Sequence, residues 1–125
     1  MQHRCTVAIV DDDDGVRNSL ASLIRSLGYE ARGYSSAPQF LADHESGDPD
    51  CMIADIQMPE MTGDELQAIL VASGRRFPMI FMTAFPTALV RERVLAAGAC
   101  AFIEKPAESD TIAHHLALAV THRRA

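Results

Sequence analysis

Asp11, Asp12, Asp55, Thr83 and Lys105 each follow a short apolar run, directly or within two residues. Carboxylates gathered in surroundings that offer only oxygen donors suit a hard divalent cation, Mg²⁺ in a cell, which keeps several waters and takes one or two carboxylates directly. An aspartate beside such a cation can attack phosphorus as a carboxylate nucleophile, while a hydroxyl and an ammonium take phosphoryl oxygens. Asp55 is the candidate nucleophile, Thr83 supplies the hydroxyl, and Lys105 supplies the ammonium.

Asp11 to Asp14 form an unbroken run of four aspartates. Two carboxylates ~5 Å apart repel by about 3 kcal/mol at an effective dielectric near 20, so such a run is either a solvated loop or half of a site that brings its own cation. Asp13 and Asp14 exceed what the site needs and fit the start of a helix, where negative charge is favourable. Lys105 is the only lysine, against ten arginines. A compact ammonium reaches one oxygen as a point charge, which a planar guanidinium does not, so the lone lysine is read as functional over the plain surface alternative.

Five apolar stretches short enough to be strands position these residues: Cys5 to Val10, Tyr29 to Tyr34, Cys51 to Ala54, Met79 to Met82 and Cys100 to Ile103. Between them runs helical spacing, as at Val16, Leu20, Leu23, Ile24 and Leu27, a stripe assigned to the core and closed by Gly28. Further helices are expected from about Ala37-Pro38, from Gly63, from about Thr87 to Gly98, and through Ile112, Leu116 and Val120 to the cations His122, Arg123 and Arg124. Strands alternating with helices of this length predict an α/β domain, a doubly wound parallel sheet with helices on both faces. The third, fourth and fifth strands read as buried on both sides. In such a sheet ligands sit beyond the carboxyl ends of the strands, which is where the five chemical residues fall.

The rest of the composition narrows the class. The 125 residues are 48% hydrophobic, enough for one ordinary domain, and no repeat or linker divides them. A formal charge of −6 gives no global attraction to nucleic acid or an anionic bilayer. No apolar run is long enough to span a membrane and no signal pattern opens the chain, so a cytoplasmic location is expected. Cys5, Cys51 and Cys100 lack metal-ligand spacing and read as small buried apolar residues. The five histidines are scattered, and solvated positions suit them better than metal ligation.

The chain resembles the receiver domains of two-component response regulators over essentially its whole length, residues 1–125. The resemblance rests on IVDDD at the first strand, DIQMPEMTG around Asp55, MTA at Thr83 and FIEKP at Lys105; the last two loops look most like the FixJ-type branch, whose receivers usually precede a DNA-binding helix-turn-helix. It implies a flavodoxin-like sheet of strand order 2-1-3-4-5 flanked by five helices. It implies Asp55 as acceptor of a phosphoryl group from a sensor histidine kinase or a histidine phosphotransfer protein. Mg²⁺ would be held by Asp12, Asp55 and the backbone carbonyl of Gln57, with Asp11 acting through water. A switch is implied in which Thr83 moves toward the phosphoryl group and Phe102 swings inward, altering the face of the fourth helix, fifth strand and fifth helix. A phosphoryl group adds about −1.5 to −2 charge, so a phosphorylation-dependent homodimer through the fourth-helix face is a further expectation. The Lys105-Pro106 peptide is expected to be cis. The polar side of the first helix, Arg17 and Asn18 with Ser22, is where receivers meet kinases. Phe85 and Gln57, each two positions beyond a site residue, either shape access of the hydrolytic water or, for Phe85, pack beside Pro86.

Three other readings compete. A phosphatase of the haloacid dehalogenase type needs its nucleophile in a D-x-D-x-[T/V] loop after the first strand, which Asp11, Asp13 and Gly15 do not complete. An EF-hand loop with Gly15 sixth would have Val10 first, where Asp is needed. A receiver-like binding module that is never phosphorylated would not need all five site residues, and all five are present.

Overall fold

The computed structural model describes the backbone of residues 4–124 and side chains as far as residue 121. His3 and the side chains of His122, Arg123 and Arg124 lie outside that description. Strands β1 (Thr6–Val10), β2 (Glu30–Tyr34), β3 (Cys51–Asp55), β4 (Met79–Thr83) and β5 (Ala101–Glu104) alternate with helices α1 (Asp14–Ser26), α2 (Ala37–Ala42), α3 (Gly63–Ala72), α4 (Ala88–Ala96) and α5 (Ser109–Arg124). The strands form one parallel sheet in the order β2-β1-β3-β4-β5, as expected.

Local chemistry sets the helix ends. The Asp13 carboxylate accepts the Val16 N–H at 3.0 Å and caps α1, so the third aspartate of the run serves the helix start as its position suggested. Gly28 leaves α1 at φ 92°, a conformation in which a side chain would be strained. Ser36 caps α2 with Pro38 in the first turn, and Thr87 caps α4. Thr62 and Glu65 close a capping box on α3, each satisfying a backbone N–H of the other.

The sheet separates two cores. On one face Val7, Ile9 and Ile53 pack with Leu20 and Ile24 of α1 and Ile112 and Leu116 of α5; on the other, Val10, Met52 and Phe81 pack with Phe40 of α2, Leu66 and Leu70 of α3 and Val94 of α4. β3 and β4 are buried throughout, as their apolar runs implied. β5 is not, because it is an edge strand: Phe102 is half-buried and Glu104 exposed. Leu27 also departs from its assignment to the core, for it caps α1 beyond the last full turn and is 39% exposed. Cys5 and Cys51 are buried as expected, whereas Cys100 lies in the bend before the edge strand and is exposed.

Candidate functional site

Each strand delivers its chemical residue to the same rim. β1 ends at Val10, so Asp11 and Asp12 begin the loop to α1; Asp55 closes β3, Thr83 closes β4, and Lys105 follows β5. The order of the sheet sets β1, β3 and β4 side by side, with the chain leaving β1 for β2 on one side and returning to β3 on the other. The crevice at that reversal is where parallel sheets hold ligands.

One carboxylate oxygen from each of Asp11, Asp12 and Asp55 falls within 4.8 Å of the other two. Asp11, Asp55 and Thr83 are buried, and Asp12 is exposed. Lys105 Nζ donates to Asp11 Oδ2 at 2.8 Å and lies 3.5 Å from Asp55 Oδ2. One ammonium thus serves two carboxylates. Burial pushes the Asp55 carboxyl above its ordinary value, a rise the Lys105 charge opposes and the Asp11 charge reinforces. Burial disfavours the Lys105 ammonium, but its hydrogen bond and attraction to Asp11, with Asp55 adding to both, hold its pKa above the ordinary lysine value. Three carboxylates against one ammonium leave excess negative charge around an all-oxygen donor set, so the residues present fit a hard divalent cation.

The backbone around Asp55 is tightly constrained. The loop after β3 turns through Glu60, at φ 71°, and folds back so that the Gly63 N–H donates to the Ile56 carbonyl at 2.8 Å. A Cβ at Gly63 would sit 2.3 Å from the Asp55 carbonyl oxygen. Only glycine fits there, a demand that the place of Gly63 at a helix start does not reveal. Asp55 Oδ1 also accepts the Gln57 N–H at 3.3 Å. The Thr83 hydroxyl accepts the Phe85 N–H at 3.1 Å and approaches Gln57 Oε1 at 3.5 Å. The Phe85 side chain is 71% exposed, so packing beside Pro86 does not bury it. Phe102 rests against the core that contains Phe81 and Val94. The Lys105-Pro106 peptide is cis, as expected.

On the polar side of α1 the Arg17 guanidinium reaches back into the acidic loop, donating Nη1 to the Asp11 carbonyl at 2.8 Å and Nη2 to the Asp14 carboxylate. A spacing of three from Asp14 permits the second contact on a helix; nothing in the linear sequence reports the first.

This sheet, with carboxylates, a hydroxyl and a lysine gathered at its carboxyl rim, defines a class of α/β signalling and binding domains. The chain belongs to the response regulator receiver domain family, whose model matches residues 7–117. Such domains are the phosphoacceptors of two-component signalling. It is 38% identical over 100 residues to the response regulator protein TmoT of Ectopseudomonas mendocina, covering 80% of this chain and 46% of that protein. It is 34% identical over 117 residues to the transcriptional regulatory protein FixJ of Rhizobium meliloti (strain 1021), covering 94% of this chain and 57% of that protein. Among solved structures, that of FixJ-N superposes with a TM-score of 0.86 at 34% identity, covering 98% of this chain and 97% of the other. The chain therefore spans about half the length of the curated relatives it matches. No helix among the described residues is long and apolar enough to cross a membrane.

Proposed function

We propose that residues 1–125 form one receiver domain whose phosphoacceptor is Asp55. The observation that carries this reading is the Asp55 carboxylate itself, buried at the end of β3, 3.5 Å from the only lysine and grouped with Asp11 and Asp12. An Asp55 carboxylate oxygen attacks the phosphorus of a phosphohistidine on a sensor kinase or phosphotransfer protein. The P–O bond forms as the P–N bond breaks, and the electron pair leaves on the imidazole nitrogen. Thr83 and Lys105 lie where they can each take a phosphoryl oxygen as charge builds on the transferring group.

Asp12, Asp55 and the backbone carbonyl of Gln57 would hold Mg²⁺. Both Asp11 carboxylate oxygens already accept protein donors, the Asp13 N–H at 2.9 Å and Lys105 Nζ at 2.8 Å, which suits a role for Asp11 through water. Bound there, the cation would neutralise phosphoryl and carboxylate charge. The domain's chemistry is confined to its own phosphorylation and dephosphorylation, so this is a signalling domain and not a turnover enzyme. Thr83 and Phe102 form the switch, changing the face of α4, β5 and α5. Leu89 on α4 and Leu118 on α5, 66% and 48% exposed, offer that face apolar surface for a phosphorylation-dependent homodimer. The charge of −6 favours protein partners over direct nucleic-acid binding by this chain, in the cytoplasm.

The test is intact mass after incubation with Mg²⁺ and acetyl phosphate, followed by a phosphohistidine protein donor, on the parent and Asp55→Asn. A single phosphoryl adduct that needs Mg²⁺ and is lost in the variant is the expected result. No adduct from either donor, with Mg²⁺ still bound, would instead favour an unphosphorylated binding module.

A further inference from the structure

The β1–α1 loop holds Asp11 by every polar atom it has. Its N–H donates to the Tyr34 carbonyl at 3.1 Å, its two carboxylate oxygens accept from Asp13 and Lys105, and its carbonyl accepts from Arg17. Asp13 lies in the loop itself, Tyr34 ends the neighbouring strand β2, and Lys105 reaches in from beyond β5 at the far edge of the sheet. Arg17 is the one partner that comes from α1: its side chain, only 19% exposed, returns six residues along the chain to reach this carbonyl. Its second contact, on Asp14, ties the same guanidinium to the last aspartate of the run. One planar fork thus spans the loop from first aspartate to fourth, a geometry that an ammonium does not reproduce.

The opposite strand makes room for it. Gly33 lies in β2, paired with Ile9, and its backbone is not left-handed, so no turn or positive φ calls for glycine there. Glycine weakens a strand, and inside one it marks the close approach of another group. That group is Arg17: a Cβ at position 33 would meet its Cδ at 3.3 Å and its Cγ at 3.4 Å. The stem of Arg17 crosses the strand where glycine lies, and the crossing carries the guanidinium to the loop.

We propose that Arg17, with Gly33 as its bed, is a positioning residue for the divalent-cation site: by clasping the acidic loop from Asp11 to Asp14 it keeps Asp11 and Asp12 aimed at Asp55. This inference rests on the metal-site reading given above. Charge and geometry make opposite predictions. Arg17 is a cation near a cation site, so by charge alone its removal tightens Mg²⁺ binding. By geometry its removal lets the loop spread and weakens binding, as loss of a partner that orients a ligand does.

The test titrates the metal-free chain of residues 1–125 with Mg²⁺ alone, followed by calorimetry and backbone amide shifts, for the parent, Arg17→Lys, Arg17→Met, Gly33→Val and the double variant Arg17→Met with Gly33→Val. Arg17→Lys keeps the charge and loses the fork; Arg17→Met keeps much of the stem. The expected result is that each single variant weakens Mg²⁺ binding about tenfold. The double variant should bind like Arg17→Met, because the valine then has no clasp left to displace. Without metal, the Asp13 amide should exchange faster in all variants while amides of β3 and β4 keep the parent's protection, which separates a loosened loop from a destabilised fold. Parental affinity in Arg17→Lys, or tighter binding in Arg17→Met, would overturn the proposal. A parent that binds no Mg²⁺ would overturn the site reading and the inference with it.

Discussion

The two ends of this sheet treat charge in opposite ways. At the amino end Arg75 pairs with Asp48, Nη2 to Oδ1 at 2.7 Å, and its guanidinium lies 5.1 Å from the Phe40 ring centroid and 6.0 Å from that of Phe77. The Asp50 carboxylate accepts the Thr6 N–H at 2.8 Å, and burial pushes the Cys51 thiol up to about 12, which leaves it inert. There Arg75, Asp48 and Asp50 each have a partner of their own. At the carboxyl end three carboxylates crowd around one ammonium, and two of them are buried. The amino end is arranged for stability; the carboxyl end keeps carboxylate repulsion that Lys105 only partly offsets, as sites matched to charged ligands do.

The largest effect should come from breaking the backbone on which the carboxyl end rests. Gly63→Ala forces a Cβ against the Asp55 carbonyl, which is main chain and cannot swing away. A loss of about 3 kcal/mol is expected, read from the urea midpoint at unchanged m, with phosphoryl adduct formation falling alongside it. Arg75→Ala should cost about 1–2 kcal/mol through the lost ion pair, stem packing and ring contacts. Its adduct formation rate should equal the parent's, because nothing at the amino end touches the site. An Arg75→Ala variant slow to phosphorylate would show that the two ends are coupled.

Asp55→Asn sharpens the contrast by reversing the sign. Without metal it should stabilise the chain by about 1 kcal/mol at neutral pH, the part of the carboxylate repulsion that Lys105 leaves uncompensated. Asp55 titrates higher folded than unfolded, so its ionisation favours the unfolded state. The advantage of asparagine therefore appears as the pH rises through the carboxylate range and is absent below the ordinary aspartate value of 3.8. Denaturant midpoints of both proteins across that range check it, and saturating Mg²⁺ should reverse the order by stabilising the parent more.

Much of this was legible in the residues. Apolar runs of about five with turn residues between them mark strands because a strand buried on both faces needs no polar alternation, as β3 and β4 show. Asp11, Asp12, Asp55, Thr83 and Lys105 stood out because parallel strands all point their carboxyl ends the same way, so a residue's place after its run predicts the rim it joins. Leu27, Cys100 and Phe102 misled, since exposure at a helix end or on an edge strand depends on neighbours that a linear pattern does not name. The contacts of Gly63 and Arg17 are hidden from the linear pattern for a related reason: one is shaped by a carbonyl eight residues back, the other by a glycine on the next strand.

By itself the sequence determined the element order, the sheet class and the set of chemical groups, because periodicity, caps and strand ends are local properties of neighbouring residues. The tertiary structure alone decided that one ammonium is shared between Asp11 and Asp55, that Gly63 admits no side chain, and that Arg17 turns into the acidic loop across Gly33. Those are contacts between segments up to 94 residues apart, and their distances are set by the packing of the whole sheet and its helices.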